Sequence, residues 1–395
     1  MDKHLEYADE HIFLAGTGDL AEVLCRTNMR YGLAKIHHFQ RSIGLPEDAS
    51  FIGAPDATVT RNDARWKSGF SYGGKLEWSG GFAVLDVKPN GCGVLMGRLP
   101  HVPPKHEIRQ RLERVIRQGV RVDGVDIEWD LDRSNHFVEV AEPENSGWTL
   151  PWRGPVFLIH SSGPEHRGPT LHGPGLYWDA SEPLRKMALR HETPWGRLLV
   201  LTGRNAERYH RHLREVHEFQ LRRRRAMATA LFGDHEVLFQ AMHQGMTGPG
   251  SMALGSYLHG PGLPKRLCGD SGWFPLTLAE DRPIFLLRPK PSFAQETIVR
   301  LGWAERASRL GLLDRLLSAN LLPHGGGTAL LAEGDISVQD RPTGRLFSVG
   351  DVHFETPKTL PHGYRGQEVL ERTVALALGE VIGSMNIRWS LGGNL

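Results

Sequence analysis

The sequence predicts a mixed α/β (α+β) fold in one large domain that covers residues 1–395. Two observations lead to this prediction. Short apolar runs typical of strands are interspersed along the whole chain with amphipathic stretches of helical periodicity. In addition, 395 residues with 40% apolar and 23% charged side chains are enough to bury a large core, and no repeat, linker or low-complexity segment divides the chain.

The local pattern assigns the elements. Strands are predicted over residues 11–15, 81–87, 122–129, 135–140, 156–159, 197–202, 237–242 and 283–287. Helical stretches are predicted over residues 105–118, 205–232, 303–319 and 367–382. Residues 16–21 match the letters of a dinucleotide-binding fingerprint, but the acidic residue expected about 20 positions later is missing, so a turn that begins a helix is the favoured interpretation.

Composition excludes several classes of protein. A net charge of +2 makes no case by itself for a nucleic-acid partner. The three cysteines form neither a disulfide framework nor a Cys-x-x-Cys pair, which favours a reducing compartment. The charged N-terminus lacks the apolar segment of a signal peptide, and no run has the length of a membrane span. We therefore expect a soluble, cytoplasmic protein with no membrane partner.

The most informative stretch is residues 131–163. Residues 135–140 alternate apolar and polar positions, so a strand there places Asn135 and Glu139 on one face and His136 on the other. The apolar run 156–159 delivers His160 where a buried strand meets a Gly/Ser turn. Two strand-borne histidines in one unit could both reach one metal ion, although two hydrogen-bonded structural histidines would give the same pattern.

Three further segments carry ligand-type side chains, one at a turn and two at the ends of apolar runs. Cys92 follows the turn at residues 88–91 and lies near Asp86. His243 ends a second apolar run, and His324 is followed by a glycine loop whose amides could approach phosphate closely. Thiolate, imidazole and carboxylate together make a metal site chemically sensible.

Taken in order, these motifs resemble those of the RtcB family of tRNA-splicing RNA ligases, from about residue 63 to the C-terminus. Residues 63–74 match the family's Asp-x-His-x-Gly-x-Gly-x-x-x-Gly-Gly, and Asp86 with Cys92-Gly93 resembles its Asp-x-x-Cys-Gly. Asn135-His136-Phe137-x-Glu139 matches its Asn-His-Phe-x-Glu, which is the most specific of the matches. His160-Ser-Ser-Gly resembles its His-Ser-Gly-Ser-Arg, His243-Gln244 its His-Asn, and His324-Gly-Gly-Gly its His-Gly-Ala-Gly-Arg. The chain departs from the family at Arg65 in place of His, at Thr328 in place of Arg, at Leu391 near the family's Lys, and in having five residues rather than two between Asp86 and Cys92.

The resemblance implies an RtcB-like fold of central mixed sheets flanked by helices, and a set of site residues. Asp63 and His324 would be catalytic, with His324 as the residue that becomes guanylylated. Two Mn²⁺ ions, with Zn²⁺ as the softer alternative, would be held by Asp86, Cys92, His136, His160 and His243. The guanine nucleotide of GTP would be held by Asn135, Glu139, Gly326 and Gly327. The implied activity joins RNA 3′-phosphate or 2′,3′-cyclic phosphate ends to 5′-hydroxyl ends in tRNA splicing or RNA repair.

A local excess of arginine supplies a candidate RNA contact. Residues 204–225 hold eight Arg and three Glu, and four of the Arg are consecutive. The residues proposed to contact RNA phosphates are Arg204, Arg208, Arg211, Arg222, Arg223, Arg224 and Arg225. A solvated helix face would explain the same composition. Two other functions stay open at this point, a two-metal phosphoesterase or nucleotidyl-transfer relative and a non-catalytic RNA-binding paralogue.

Overall fold

The computed structural model describes residues 2–131, 135–144, 150–279, 282–291, 293–341 and 344–392. Its helices are α1 (Lys3–Glu10), α2 (Leu20–Ser42), α3 (Asp63–Lys67), α4 (Lys105–Gln118), α5 (Glu182–Met187), α6 (Gly203–Phe232), α7 (Lys265–Cys268), α8 (Gln295–Arg300), α9 (Ala304–Arg309), α10 (Leu313–Leu317) and α11 (Gln367–Ala375). Short 3-10 turns lie at Leu85–Val87, Pro164–His166 and Pro357–Thr359.

The strands are β1 (Ile12–Leu14), β2 (Ser50–Thr58), β3 (Tyr72–Glu77), β4 (Ala83–Val84), β5 (Gly93–Arg98), β6 (Arg121–Val122), β7 (Val125–Asp126), β8 (Phe137–Pro143), β9 (Val156–Ser161), β10 (Leu189–His191), β11 (Leu198–Leu201), β12 (Glu236–Met242), β13 (Gln244–Gly248), β14 (Ser251–Leu254), β15 (Ser256–Leu258), β16 (Phe274–Leu276), β17 (Ile284–Pro289), β18 (Leu321–Pro323), β19 (Thr328–Leu330), β20 (Ile336–Arg341), β21 (Gly344–Val349), β22 (Val352–Phe354), β23 (His362–Tyr364) and β24 (Gly379–Gly392). The mixed α/β prediction is therefore confirmed.

Two larger sheets organise the described part of the chain. A seven-stranded sheet has the order β12-β5-β9-β8-β24-β17-β16, with every neighbouring pair antiparallel. A five-stranded sheet has the order β1-β2-β3-β14-β13, in which only β1 and β2 run parallel. The described residues also form smaller sheets, which include the two-stranded ribbons β15-β18 and β19-β23.

The two large sheets pack face to face with helices on their outer faces. Met96 of β5 and Leu158 of β9 belong to the core between the sheets, while their chain neighbours Leu95 and Ile159 pack toward α4 and α6 on the other side. The five-stranded sheet is covered in the same way by α1 and α2. Because both faces of each sheet are buried, the central strands have continuous apolar sequences rather than an alternating pattern.

Local periodicity predicted many of these elements. The strands at 11–15 and 156–159 and the helices at 105–118 and 205–232 are confirmed as β1, β9, α4 and α6. The helical stretch at 303–319 is present as two short helices, since Gly311 between them has a φ of +68°. The strand at 81–87 is confirmed only for Ala83–Val84, and the chain then enters a 3-10 turn.

Two predictions are wrong. Residues 122–129 form part of the β6–β7 hairpin followed by a loop, because residues 123 and 124 both have positive φ and turn the chain back. The terminal helix ends at Ala375, and the segment from Gly379 becomes β24. That strand lies between β8 and β17, where pairing on both sides satisfies its backbone groups.

The turn at residues 16–21 begins α2, as favoured from the sequence. Glu22 accepts hydrogen bonds from the backbone N–H groups of Gly16 (3.0 Å) and Gly18 (2.5 Å), and Asp19 caps the helix. A carboxylate therefore already occupies the position that a phosphate would need in a dinucleotide site.

Within the described residues, every helix is too short or too polar to cross a lipid bilayer.

Candidate functional site

Four predicted ligands meet at one edge of the seven-stranded sheet. His160 lies near the end of β9, Cys92 immediately precedes β5, and His243 immediately follows β12. His136 immediately precedes β8. Because β12, β5, β9 and β8 are antiparallel neighbours in that order, the start of β5 and β8 and the end of β12 and β9 share one edge of the sheet.

The donor atoms of these residues lie within ligand distance of shared points. Cys92 Sγ is 3.1 Å from His160 Nε2 and 3.5 Å from His136 Nε2, and His160 Nε2 is 3.3 Å from His243 Nε2. Two groups that share His160 could each hold a metal ion, Cys92 with His136 and His160, and His160 with His243 and His324. All five side chains are buried. We call these five residues the ligand cluster.

Further contacts orient two of these rings. His136 Nδ1 is 2.8 Å from a carboxylate oxygen of Asp130, and His160 Nδ1 is 2.9 Å from the backbone carbonyl oxygen of Asn135. Each contact engages Nδ1 and leaves Nε2 directed at Cys92, which is the arrangement of metal-ligating histidines. Burial, together with neighbouring imidazoles, holds the pKa of His160 and His243 well below its usual range, so both rings are neutral with a lone pair to donate.

A buried chain of charges supports His136. Arg223 of α6 is fully buried and donates to Asp130 (3.2 Å) and Glu165 (2.6 Å). Asp130 is likewise fully buried. Burial by itself favours neutral forms, but Asp130 and Cys92 outweigh it and raise the pKa of His136 to about 10. His136 and Arg223 in turn hold the pKa of Asp130 well below its usual range against the effect of its burial.

His324 comes to the ligand cluster from a different part of the fold. It follows β18, and its ring stacks on His243 with 4.1 Å between the ring centroids. One carboxylate oxygen of Asp56, on β2, lies 3.1 Å from both His324 Nδ1 and the His324 backbone nitrogen. Asp56 therefore fixes the ring through Nδ1, and Nε2 is the nitrogen that remains for chemistry.

A cavity of about 650 Å³ opens beside the ligand cluster. Its lining includes Cys92, His136, His160 and His324 together with all four residues predicted to hold a nucleotide, Asn135, Glu139, Gly326 and Gly327. Both glycines are sterically required. A Cβ at Gly326 would lie 2.1 Å from the carbonyl oxygen of Arg365, and Gly327 has a φ of +70°. The loop therefore presents backbone rather than side chains to the cavity.

The structure places two predicted site residues elsewhere. Asp86 accepts hydrogen bonds from the Leu199 backbone N–H (2.8 Å) and the Ser68 hydroxyl (3.2 Å), and it is absent from both metal-ligand groups of the described residues. Its carboxylate is used to join β11 to the 3-10 turn. Asp63 binds Thr356 and Lys358 near the surface, outside the cavity lining. The carboxylate beside His324 is that of Asp56.

The arginine-rich helix divides into two kinds of residue. Arg223 and Arg224 are fully buried, so their inclusion in an RNA-binding surface is wrong. Arg224 donates to the carbonyl oxygens of Gly91, which precedes Cys92, and of Ser161, which follows His160. Arg222 is exposed but ion-paired to Asp123, and Arg225 donates to Gln240. Arg204, Arg208 and Arg211 are exposed and stay candidates for phosphate contact.

Sequence reasoning missed Asp56 and Asp130. Asp56 is a lone charge within the otherwise apolar and small residues of 51–57, and it is 1% exposed. Asp130 lies six positions before His136 and is fully buried. A charged residue inside an apolar run was the available signal for Asp56, since buried carboxylates are rare unless they are paired.

Comparison with models of known protein families and with curated proteins found no match to this chain.

Proposed function

We propose that this protein is a metal- and GTP-dependent RNA ligase that joins RNA 3′-phosphate or 2′,3′-cyclic phosphate ends to 5′-hydroxyl ends through a covalent His324–GMP intermediate. The observation that carries the proposal is the position of His324. Its Nδ1 is held by Asp56, its ring stacks on His243, and it lies on a glycine loop at the wall of a nucleotide-sized cavity.

The chemistry assigned to His324 is nucleophilic. Its Nε2 lone pair attacks the α-phosphorus of GTP, an N–P bond forms, and the bond to pyrophosphate breaks. Asp56 accepts the Nδ1 proton in a hydrogen bond and stabilises the positive charge that develops on the ring. An oxygen of the RNA 3′-phosphate then displaces His324 and takes the guanylate. Attack by the 5′-hydroxyl on the activated 3′-phosphate releases GMP and closes the RNA strand.

The ligand cluster fits two divalent ions of the kind this chemistry needs. Cys92, His136, His160 and His243 would hold the ions, because Cys92 Sγ lies within 3.5 Å of the Nε2 atoms of His136 and His160, and His160 Nε2 lies 3.3 Å from His243 Nε2. Bound ions would neutralise charge on the phosphate oxygens during in-line displacement. Thiolate and imidazole favour Zn²⁺ or Fe²⁺ by softness, so occupancy by Mn²⁺ depends on its availability. Asp86 has no part in this assignment.

The residues around the cavity are suited to a guanine nucleotide. The buried Glu139 carboxylate can accept hydrogen bonds from a base that presents adjacent N–H groups, as guanine does. The Asn135 side chain offers both a donor and an acceptor. Gly326 and Gly327 allow backbone N–H groups to approach phosphate oxygens without interference from side chains.

A metal-dependent phosphoesterase is the second candidate, and one observation favours it. His324 belongs to a group of three histidines whose donor atoms could all bind one ion. In that arrangement His324 would be a metal ligand, and activated water would be the nucleophile. The two candidates therefore assign His324 different roles.

The deciding experiment combines labelling with metal analysis. The protein is incubated with Mn²⁺ and α-labelled GTP, and acid-labile label on the chain is measured for the parent, His324→Ala and His353→Ala. His353 is an exposed histidine outside the cavity lining and serves as the control. The ligase proposal expects label in the parent and in His353→Ala, none in His324→Ala, and unchanged metal content. Loss of one ion in His324→Ala without label in the parent would support the phosphoesterase. RNA binding with neither activity would leave a non-catalytic RNA-binding protein.

Asp56→Asn adds an independent check on the nucleophile. It keeps the shape of the side chain but removes its charge, so label transfer should slow by about 5- to 10-fold, because charge-assisted hydrogen bonds are roughly twice as strong as neutral ones. An unchanged rate would show that Asp56 does not assist His324.

A further inference from the structure

The five residues between Asp86 and Cys92 carry a lysine into the cavity. Lys88 and Asn90 both line the cavity together with Cys92, and Lys88 is 3% exposed. Lys88 has a φ of +48°, a left-handed conformation that is uncommon for any residue other than glycine, Asn or Asp. Such conformations cost free energy and concentrate at functional sites. The turn is therefore held in this shape by its surroundings.

Arg65 stabilises the turn that contains Lys88. Its guanidinium donates to the carbonyl oxygens of Val87 (2.9 Å) and Lys88 (2.7 Å) and to the Thr60 hydroxyl (3.3 Å). Arg65 is 4% exposed and also lines the cavity. These acceptors are all uncharged, and no ion pair joins Arg65 to a carboxylate in the part of the chain that the structure describes. A buried guanidinium without a counter-charge is costly, and a bound anion would relieve that cost.

Two more groups complete a cationic surface on this side of the cavity. Lys88 Nζ lies 2.5 Å from Asp179 and 4.5 Å from the centroid of the Tyr177 ring. The Arg167 guanidinium lies 5.9 Å from the same centroid, and its Nε finds no hydrogen-bond partner among the described residues. Arg65, Lys88 and Arg167, which we call the cationic wall, thus present three positive charges to the cavity, and among the described residues Asp179 is the carboxylate paired with them.

We propose that the cationic wall is a binding subsite for a terminal phosphate group, with Lys88 as the group that contacts the phosphate and Asp179 as its partner when the subsite is empty. The identity of the phosphate rests on the proposed function, in which two substrates carry such a group, the RNA 3′-phosphate and the γ-phosphate of GTP. A phosphate dianion matches the charge of the wall better than Asp179 alone, and it offers acceptors to Lys88 and to Arg167 Nε at once.

The ion pair between Lys88 and Asp179 can open to admit a phosphate. Its side chain is 39% exposed, whereas that of Lys88 is 4% exposed, so Asp179 can turn toward solvent while Lys88 stays in the cavity. An incoming phosphate then replaces one carboxylate oxygen with its own oxygens, and Lys88 is never left buried without a partner. The proposal therefore expects Asp179 to compete with phosphate rather than to assist its binding.

The test measures binding and needs no ligation. Affinities of the Mn²⁺-loaded protein for one labelled RNA oligonucleotide with a 3′-phosphate and for the same oligonucleotide with a 3′-hydroxyl are compared by fluorescence anisotropy, and GTP binding is measured by calorimetry. The variants are Lys88→Met, Asp179→Asn and the control Lys186→Met. Lys186 is an exposed lysine, ion-paired to Glu182 on α5 outside the cavity lining. Thermal unfolding establishes that each variant is folded.

Lys88→Met should weaken binding of one phosphate-bearing ligand by about 10- to 100-fold, the value of a charge-assisted hydrogen bond. Loss confined to the 3′-phosphate oligonucleotide identifies the RNA end, and loss confined to GTP identifies the γ-phosphate. Asp179→Asn should bind the same ligand as tightly as the parent or more tightly, and Lys186→Met should change nothing. Equal affinities of the parent and Lys88→Met for both ligands, or an equal loss for the 3′-hydroxyl oligonucleotide, would overturn the proposal. Protein labelling by GTP is read separately, so failure of the proposed function is distinguishable from failure of this subsite.

Discussion

Replacing Arg223 by Met removes the cation that holds two buried carboxylates beside the ligand cluster. Arg223 and Asp130 are fully buried, and Glu165 is 2% exposed. Asp130 in turn contacts His136 Nδ1 at 2.8 Å. Met fills much of the volume of the arginine stem but supplies no charge and no donor. The variant therefore leaves Glu165 without its ion-pair partner, and Asp130 keeps His136 together with its hydrogen bonds from the Ser162 backbone N–H and hydroxyl.

The expected loss of stability follows from the burial of the pair. Removing one partner of a buried ion pair costs about 3–5 kcal/mol. With an unfolding entropy of about 2.1 cal/mol/K per residue over 395 residues, each kcal/mol lowers Tm by about 1.2 °C, so Tm should fall by about 4–6 °C if the chain unfolds in one transition. His136 also loses part of its support, and metal affinity should fall by about 10- to 100-fold.

The pH dependence gives this prediction a signature. Burial already raises the pKa of Glu165, and Arg223 is the strongest influence that lowers it, so its pKa should rise further in the variant. When the pKa of a carboxyl is higher in the folded than in the unfolded state, the free energy of unfolding of the protein falls as the pH rises from the unfolded-state pKa toward the folded-state pKa. The difference in Tm between the parent and Arg223→Met should therefore be larger at pH 7.5 than at pH 5.

The neighbouring arginine provides the control. Arg222 is also ion-paired, to Asp123, but its side chain is 52% exposed, so Arg222→Met should change stability by less than about 1 kcal/mol. Unfolding is followed by circular dichroism and metal binding by titration of the metal-free protein. Equal shifts in the two variants, or a fall in Tm that is larger at pH 5, would refute the argument from buried charge.

Three further predictions follow from other parts of the molecule. Cys92→Ser should lower the metal content measured by elemental analysis, since Cys92 Sγ is within 3.5 Å of His136 and His160, whereas Cys268→Ser should have the metal content of the parent. Burial lowers the pKa of His37 and His217 to about 3, so below pH 6.5 the unfolded chain binds more protons than the folded one. Each histidine should therefore lower the free energy of unfolding by about 1.4 kcal/mol for every unit by which the pH falls. In urea titrations His217→Gln should reduce this pH dependence by that amount, and an unchanged dependence would contradict the prediction. Changing the exposed arginines 204, 208 and 211 to Gln should weaken RNA binding and reduce its salt dependence by about 0.7 per lost phosphate contact with single-stranded RNA, and equal slopes would exclude this face from the interface.

Local sequence was sufficient for elements whose pattern and environment agree. The α4 and α6 helices have an apolar stripe that faces a sheet, and β9 is an apolar run buried on both faces, so periodicity predicted each of them. Periodicity failed at 367–382 because the segment is amphipathic as far as Ala375, whereas the next residues complete a sheet between β8 and β17. Pairing partners distant in sequence outweighed the local preference there.

Cys92, His136, His160 and His243 could be predicted from chain order as candidate ligands because each stands beside one end of an apolar strand, and antiparallel strands bring those ends together at one sheet edge. Their side-chain types, one cysteine with several histidines, are a property of the sequence alone. Which carboxylates serve them is not, because Asp56, Asp130 and Asp86 are all buried aspartates and look equivalent in a linear chain.

Tertiary packing separated these roles. Asp86 accepts a hydrogen bond from the backbone of β11, whereas Asp56 contacts His324 Nδ1 and Asp130 contacts His136 Nδ1. Packing also buried Arg223 and Arg224 and left Arg222 exposed. The physical reason is that a buried charge must find a partner, and the available partners are determined by which strands and helices pack together rather than by their neighbours in sequence.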